Sequence, residues 1–156
     1  MYNNQSSVDQ KQAKLKSIVD YAAPLYMGET ELSLNRLESV YMYINRLIRG
    51  GYTFMVNKVK ICEQIKVDLP RMALAKTAVT YLHNHIRHKL CDSLTGKLVI
   101  PKRIASIMYT KRPQNGTYPA SLDKIVNIYN KLPANVKTLR IGPFKRYLKK
   151  NDIKLN

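Results

Sequence analysis

The fold is decided by one stretch near the middle of the chain, which reads Asp68-Leu-Pro-Arg-Met-Ala-Leu-Ala-Lys-Thr-Ala-Val-Thr-Tyr-Leu-His-Asn-His-Ile-Arg-His-Lys-Leu-Cys-Asp92. Asp68 is a favourable N-cap, and Pro70 falls in the first helical turn, where its missing N–H costs no hydrogen bond. At 100° per residue, one broad arc collects the apolar residues Met72, Leu74, Ala75, Ala78, Val79, Tyr81, Leu82, Ile86 and Leu90. So wide a stripe predicts a helix packed against several partners, at the centre of a helical domain.

The opposite arc of this helix holds Lys76, Thr80, His83 and Arg87. We expect this arc to be an exposed basic face. We expect Ala78 to lie in the core, where glutamate would be destabilising, whereas Lys76 is expected to tolerate the same change.

The segments before the central helix also show helical spacing of apolar residues. Val8–Ala23 predicts a helix that Pro24 ends. Thr30 is a suitable cap for a second helix, which the Gly50-Gly51 pair stops. Residues 1–7 lack apolar residues in any regular spacing, and we expect them to form a flexible arm.

Two more helices are predicted in the C-terminal third. The first is capped by Ser121, and we expect the second to begin at Phe144 after a break at Gly142-Pro143. Asn151 is a suitable left-handed C-cap, and Ile153 is then placed to fold back onto the core.

Two segments do not follow this helical pattern clearly. Tyr52–Val67 alternates at its start, but its length favours a helix. Leu98–Ile100 predicts a short strand or hairpin arm, and Pro101 is suited to opening a short helix through Met108. The predicted class is therefore all-α: residues 8–156 form a single compact domain of about five to seven helices. Any strand is confined to 52–56 or 98–100.

The net charge of +17 and pI of about 10.0 are too basic for an average cytosolic enzyme. They indicate a polyanionic partner, nucleic acid first and an anionic membrane second. Residues 79–156 carry 16 Lys+Arg against 3 Asp+Glu, a net of +13, so the polyanion is expected on the C-terminal half.

The predicted nucleic-acid-binding set consists of four basic doublets, the cations between them, two cations of the central helix and one loop tyrosine. Its members are Lys102, Arg103, Lys111, Arg112, Lys145, Arg146, Lys149, Lys150, Lys137, Arg140, Arg87, Lys89 and Tyr118. Cations bind phosphates, and a free tyrosine stacks on unpaired bases. Tyr129 and Tyr147 lie in apolar stripes and are expected in the core.

Residues 121–150 also admit a helix-turn-helix, with its turn at Pro133-Ala134-Asn135. Gly142-Pro143 interrupts any recognition helix that starts near Asn135. Either that helix is short, or the recognition helix is the one that begins at Pro143. A plain helical hairpin is the favoured interpretation.

His83, His85, His88 and Cys91 share one helix, but zinc usually takes two separated ligand pairs, and only Cys62 is available elsewhere. We therefore expect no metal and no cofactor, with His85 partly buried and the other two histidines exposed. Both cysteines are expected to be reduced thiols.

Catalysis has no support in the sequence, because the ten acidic residues are scattered and no phosphate-binding glycine loop is present. No secretory signal or apolar run of about 20 residues is visible, so we expect an intracellular or virion protein that is neither secreted nor membrane-bound. The predicted function is non-catalytic nucleic-acid binding, largely independent of sequence. The alternative is an assembly subunit of a virion or ribonucleoprotein-like particle, contacting an acidic partner, packaged genome or its own copies. An exposed apolar stripe on Thr30–Arg49 would favour that alternative.

Overall fold

A computed structural model describes residues 23–49, 68–103, 107–111 and 120–153, together with residues 10, 13, 14, 17, 60 and 63. Within the four continuous ranges, the elements in chain order are α1 (Ala23–Tyr26), α2 (Glu31–Arg49), α3 (Pro70–His88), α4 (Asp92–Lys97), β1 (Leu98–Val99), β2 (Tyr109–Thr110), α5 (Ala120–Asn130), α6 (Ala134–Lys137) and α7 (Ile141–Lys150). The predicted all-α class with a short strand pair is confirmed. The predicted arm at residues 1–7 lies outside the described residues.

Helix α3 is central, since it packs against α1, α2, α5 and α7. It begins at Pro70 as predicted, but the residue at the N-cap position is Leu69, which makes no side-chain cap bond. The predicted cap, Asp68, instead accepts a hydrogen bond from Lys76 Nζ at 2.9 Å.

The predicted division of α3 into one apolar arc and one exposed basic arc is wrong in part. Lys76 is 8% exposed and His83 is fully buried, whereas Tyr81 and Leu90 are exposed. A helix surrounded by four others buries residues on nearly all sides, so polar residues also enter the interior when neighbouring helices supply their partners. Ala78 lies in the core as predicted.

Two clusters of buried apolar residues hold the helices together. The larger joins α3, α5 and α7 with Leu98 of the sheet, Met108 and Ile153, so the predicted return of Ile153 to the core is confirmed. The smaller joins Ala23 of α1, Tyr41 and Met42 of α2, and Leu74 of α3. At about 25 cal/mol per Å² of apolar surface, these two interfaces supply most of the driving force for packing.

The start of α2 follows the prediction, because the backbone N–H of Ser33 donates to Thr30 Oγ1 at 3.3 Å. The predicted helix end at Pro24 is wrong, because Pro24 is the second residue of α1. A proline blocks hydrogen bonding only to the preceding turn, so helical residues continue after it. The loop after α1 brings Gly28 against Ser121 of α5.

The sheet pairs Leu98 with Thr110 and Val99 with Tyr109 in antiparallel register. Its first strand lies within the predicted Leu98–Ile100. The expectation that any strand is confined to 52–56 or 98–100 is wrong, because Tyr109–Thr110 forms the second strand, and α4 was not predicted. The expected helix after Pro101 is wrong at Ile107 and Met108, which are not helical. Met108 is held instead by the Asn130 amide, through Met108 N–H to Oδ1 at 2.9 Å and Nδ2–H to Met108 O at 2.8 Å. Of Tyr52–Val67, only Lys60 and Glu63 are described, and both are helical.

Helix α5 begins at Ala120, so Ser121 lies inside it rather than capping it. The predicted break at Gly142-Pro143 is wrong, because both residues lie in the first turn of α7. Proline is tolerated there, where no N–H is needed. Asn151 is extended (φ −125°, ψ 139°) rather than left-handed, and its Nδ2 donates to Tyr147 O at 2.8 Å.

Candidate nucleic-acid interface

Helix α7 has two chemically different faces. Phe144 and Leu148 are buried in the main cluster, and Tyr147 packs against it. Lys145, Arg146, Lys149 and Lys150 are all exposed. Because the apolar residues are held by the core, the four cations are presented together to solvent on a fixed scaffold.

The described part of the chain supplies no counter-charge to these four cations. Helix α7 contains no acidic residue, and within the described ranges none of its cations forms an ion pair with a carboxylate. Asp152, the nearest acidic residue in sequence, lies 3.7 Å from Lys76 Nζ. This surface therefore keeps its positive charge available to a partner.

A buried polar residue of α3 lies directly beneath α7. His83 Nδ1 is 3.0 Å from Tyr129 Oη, and its Nε2 is 2.9 Å from Leu139 O. A carbonyl only accepts, so Nε2 carries the proton and the tyrosine hydroxyl donates to Nδ1. Burial lowers the pKa of His83; the hydrogen bond to Leu139 O opposes this effect, and the positive charge of Arg87 adds to it. The prediction that His83 is exposed is therefore wrong.

Arg87, a predicted phosphate contact, connects two elements in the structure. Its Nη2 donates to the carbonyl of Thr138. Its Nε lies 3.3 Å from His83 Nε2 but does not donate to it, because that nitrogen already carries the proton given to Leu139 O. The guanidinium thereby ties the end of α3 to the segment that leads into α7. The side chain is only partly exposed, so part of its donor capacity is used within the protein.

Lys137, a predicted phosphate contact, does not belong to the exposed surface. It is 3% exposed, and its Nζ donates to Asn130 O at 2.9 Å, near the end of α5. The ammonium also lies 5.8 Å from the centroid of the Tyr129 ring. Burial lowers the pKa of Lys137 and raises that of Tyr129 to about 12. A cation at a helix C-terminus satisfies its free carbonyls, which accounts for this position.

The other predicted cations lie on the surface at several places. Lys89 is exposed and ends α3 in the left-handed conformation, with φ 47°. Arg140 is exposed just before α7. Lys102 and Arg103 are exposed after β1, and Lys111 after β2. Two further predicted residues, Arg112 and Tyr118, lie outside the described residues.

One cation near this set was missed from the sequence. The backbone N–H of Lys111 donates to the carbonyl of Lys97 at 2.8 Å, which places two exposed lysines at one end of the strand pair. Lys97 is not part of a basic doublet, so no local pattern indicated it. Only the strand register brings these two residues together.

The three histidines do not form a metal centre with Cys91. His85 is buried, with Nε2 3.3 Å from Thr95 Oγ1 and with Nδ1 lacking a hydrogen-bond partner. His88 is exposed, as predicted. A hydrogen bond from Ser93 lowers the pKa of the Cys91 thiol. Within the described ranges, no three ligating side chains come close enough to hold a metal ion; Cys62 lies outside them.

A cleft of about 290 Å³ lies elsewhere on the molecule, and none of its lining residues belongs to α7. Apolar residues of α2, α3, α5 and the loop after α1 line it, with Arg71, Lys124 and Lys131 among its polar residues. Arg71 is already held by Glu31 at 2.7 Å and by Asn35 Oδ1 at 2.7 Å. The guanidinium of Arg71 therefore uses its donors within the protein.

Comparison with protein-family models, curated proteins and solved structures finds no match to this chain. No helix among the described ranges combines the length and apolar character needed to cross a membrane. Function therefore has to be inferred from the charge and geometry of the chain itself.

Proposed function

We propose that this chain is a non-catalytic nucleic-acid-binding protein that contacts the phosphate backbone through α7 and neighbouring exposed cations, largely without sequence specificity. The observation that carries the proposal is the exposed face of α7, where four cations lie together above a buried apolar anchor. Each phosphate neutralised by such a cation releases condensed counterion, which supplies sequence-independent affinity.

A merely solubilising surface accounts for the charge less well. A small domain stays soluble with a net charge of about 2 to 8, whereas this chain carries +17. The charge is also concentrated: residues 79–156 contribute +13 of it. An excess of positive charge concentrated in one half of the chain favours binding of a polyanionic partner.

The side chains exposed on α7 also favour phosphates over bases. Sequence reading uses Asn or Gln at adenine and Arg or Lys at guanine, and α7 contains neither Asn nor Gln. Three of its four exposed cations are lysines, which bind phosphate as point charges. Affinity is therefore expected to depend strongly on salt and weakly on sequence.

The test is a salt series of binding isotherms on two unrelated DNA duplexes and one single strand. Changing Lys149 and Lys150 to Ala should lower the slope of log affinity against log salt by roughly 1.4 to 1.8, or about 0.7 to 0.9 per lost contact. The control variant, Lys60→Ala with Lys124→Ala, removes the same charge elsewhere. It should retain most of the slope of log affinity against log salt. An unchanged slope in the α7 variant would overturn the proposal, and loss of binding to one sequence alone would indicate base reading.

A second candidate function, an assembly subunit, is favoured by α2. Leu32, Val40 and Tyr43 are each at least 50% exposed and lie on one side of this helix. Such a stripe is typical of a surface that meets another chain. Light scattering with and without nuclease tests this alternative: an assembly subunit would show a mass above the monomer that survives nuclease and falls in Val40→Glu. A monomer in both conditions would exclude self-assembly.

A further inference from the structure

We propose that the partner of α7 is B-form duplex DNA, and that α7 lies in the major groove with its cations directed to the phosphates of both strands. This inference rests on the proposed function and adds the class of nucleic acid and the mode of docking. It starts from how the four cations are distributed around the helix.

The exposed arc of α7 carries its charge in two rows. At 100° per residue, the arc runs over roughly 140° in the order Lys145, Lys149, Gly142, Arg146 and Lys150. Lys145 and Lys149 are four residues apart and form one row, and Arg146 and Lys150 form the other. The two rows lie at the two edges of the arc, and their centres are about 100° apart around the helix axis, so they diverge from each other.

The spacing of the rows fits the major groove. A helix with its side chains is about 10–12 Å across. The major groove is about 12 Å wide and the minor groove about 6 Å. A helix lying in the major groove therefore brings one row towards each wall, where the two phosphate backbones run. The minor groove is too narrow to admit it.

The centre of the exposed arc leaves space for this approach. Gly142 lies between the two rows, and a side chain added there would meet nothing within 4 Å. A glycine at this position lets the backbone approach the groove closely. Helix α7 packs mainly on α3 and α6, and the residues of this arc are exposed.

Other polyanions fit this arrangement less well. A single strand has no second wall for the second row. The major groove of A-form RNA is too deep and narrow for side chains to reach into. A helix that inserts into a membrane interface uses its apolar face, but Phe144 and Leu148 of α7 are already buried in the core.

The experiment compares a 20-bp DNA duplex with its single strand, the matching RNA duplex and anionic phospholipid vesicles at one salt concentration. We expect the DNA duplex to bind at least about tenfold tighter than the other three. Methyl green, a major-groove ligand, should displace the protein, netropsin in the minor groove should not, and guanine N7 should be protected from methylation.

Two paired variants test the rows separately. Lys145→Gln with Lys149→Gln, and Arg146→Gln with Lys150→Gln, should each weaken duplex binding by a similar factor of roughly 10 to 100 at 0.1 M salt. Lys60→Gln with Lys124→Gln is the charge-matched control and should change affinity far less.

The outcomes separate this inference from the function it rests on. Equal affinity for duplex and single strand, displacement by netropsin, preference for RNA duplex or vesicles, or an effect of one row alone would each overturn the docking mode while leaving polyanion binding in place. Failure to bind any nucleic acid at low salt would overturn both.

Discussion

The imidazole of His83 lies flat against the phenyl ring of Phe144, with 3.8 Å between the ring centroids and 2° between their planes. This contact joins the central helix α3 to the basic helix α7. Because Tyr129 and Leu139 also hold the imidazole through hydrogen bonds, its orientation is fixed from three sides. The position of α7 thus depends on a polar residue in the interior.

This arrangement predicts that stability falls in mild acid. Burial lowers the pKa of His83 below its ordinary value of 6.5, and it does the same for His85. Below pH 6.5 the unfolded chain binds protons that the folded chain resists, so the free energy of unfolding decreases as pH falls from 6.5 towards the folded pKa values. Melting temperatures measured from pH 8 to pH 5 should show this decline.

Two variants locate the effect within the histidines. His83→Gln should flatten the dependence of melting temperature on pH, because it removes one of the two buried histidines that resist protonation in the folded chain. His88→Gln removes an exposed histidine and should leave the dependence unchanged. A wild-type melting temperature that is equal at pH 5 and pH 8 would contradict the prediction.

Lys76 is expected to be intolerant of charge reversal, contrary to the expectation from the sequence. Its ammonium lies 2.9 Å from Asp68 and 3.7 Å from Asp152, and the residue is 8% exposed. Lys76→Glu would place a third carboxylate at this site, and we expect a loss of about 2–4 kcal/mol, since the partners are themselves partly exposed. Urea denaturation measures the change.

The control for charge reversal is Lys124→Glu on the exposed side of α5. It should alter stability by about 0.5 kcal/mol or less. Equal denaturation midpoints for the two variants would show that Lys76 is not engaged with its carboxylate partners.

Lys137 and Arg140 are three residues apart and should respond oppositely to truncation. Lys137→Ala removes the buried hydrogen bond to Asn130 O and should cost about 1–3 kcal/mol of stability with little change in the salt dependence of nucleic-acid binding. Arg140→Ala removes an exposed cation and should leave stability nearly unchanged while weakening binding. Thermal melts and binding isotherms on both variants decide the matter. The reverse pattern would place Lys137 at the interface.

Gly28 and Gly96 should differ in their response to alanine. A Cβ at Gly28 would lie 2.9 Å from Ser121 Cβ and 3.1 Å from the Ser121 backbone nitrogen, so Gly28→Ala should force α1 and α5 apart and cost about 1–3 kcal/mol. Gly96 lies in α4 with nothing within 4 Å, and Gly96→Ala should stabilise by about 0.5–1 kcal/mol. Two melting temperatures that move in the same direction would contradict the packing at Gly28.

Local features of the structure were predictable from the sequence where the residues that form a pattern and the residues that determine the structure lie in one stretch of chain. The apolar spacing of α3, the Thr30 cap of α2 and the strand at Leu98–Val99 are of this kind. The buried stripe of α5 and the four exposed cations of α7 followed from the same periodicity. In each case neighbours within one or two turns determine the outcome.

The sequence by itself determined a mostly helical chain whose positive charge is concentrated in its C-terminal half. Only the tertiary structure decided which polar residues enter the interior. Lys76, His83 and Lys137 are buried because a carboxylate, a tyrosine hydroxyl and backbone carbonyls from other segments compensate their desolvation. These partners are between 7 and 56 residues away along the chain. Helical periodicity records which side of a helix a residue occupies, whereas the free energy of burying it depends on what the rest of the fold brings to that side.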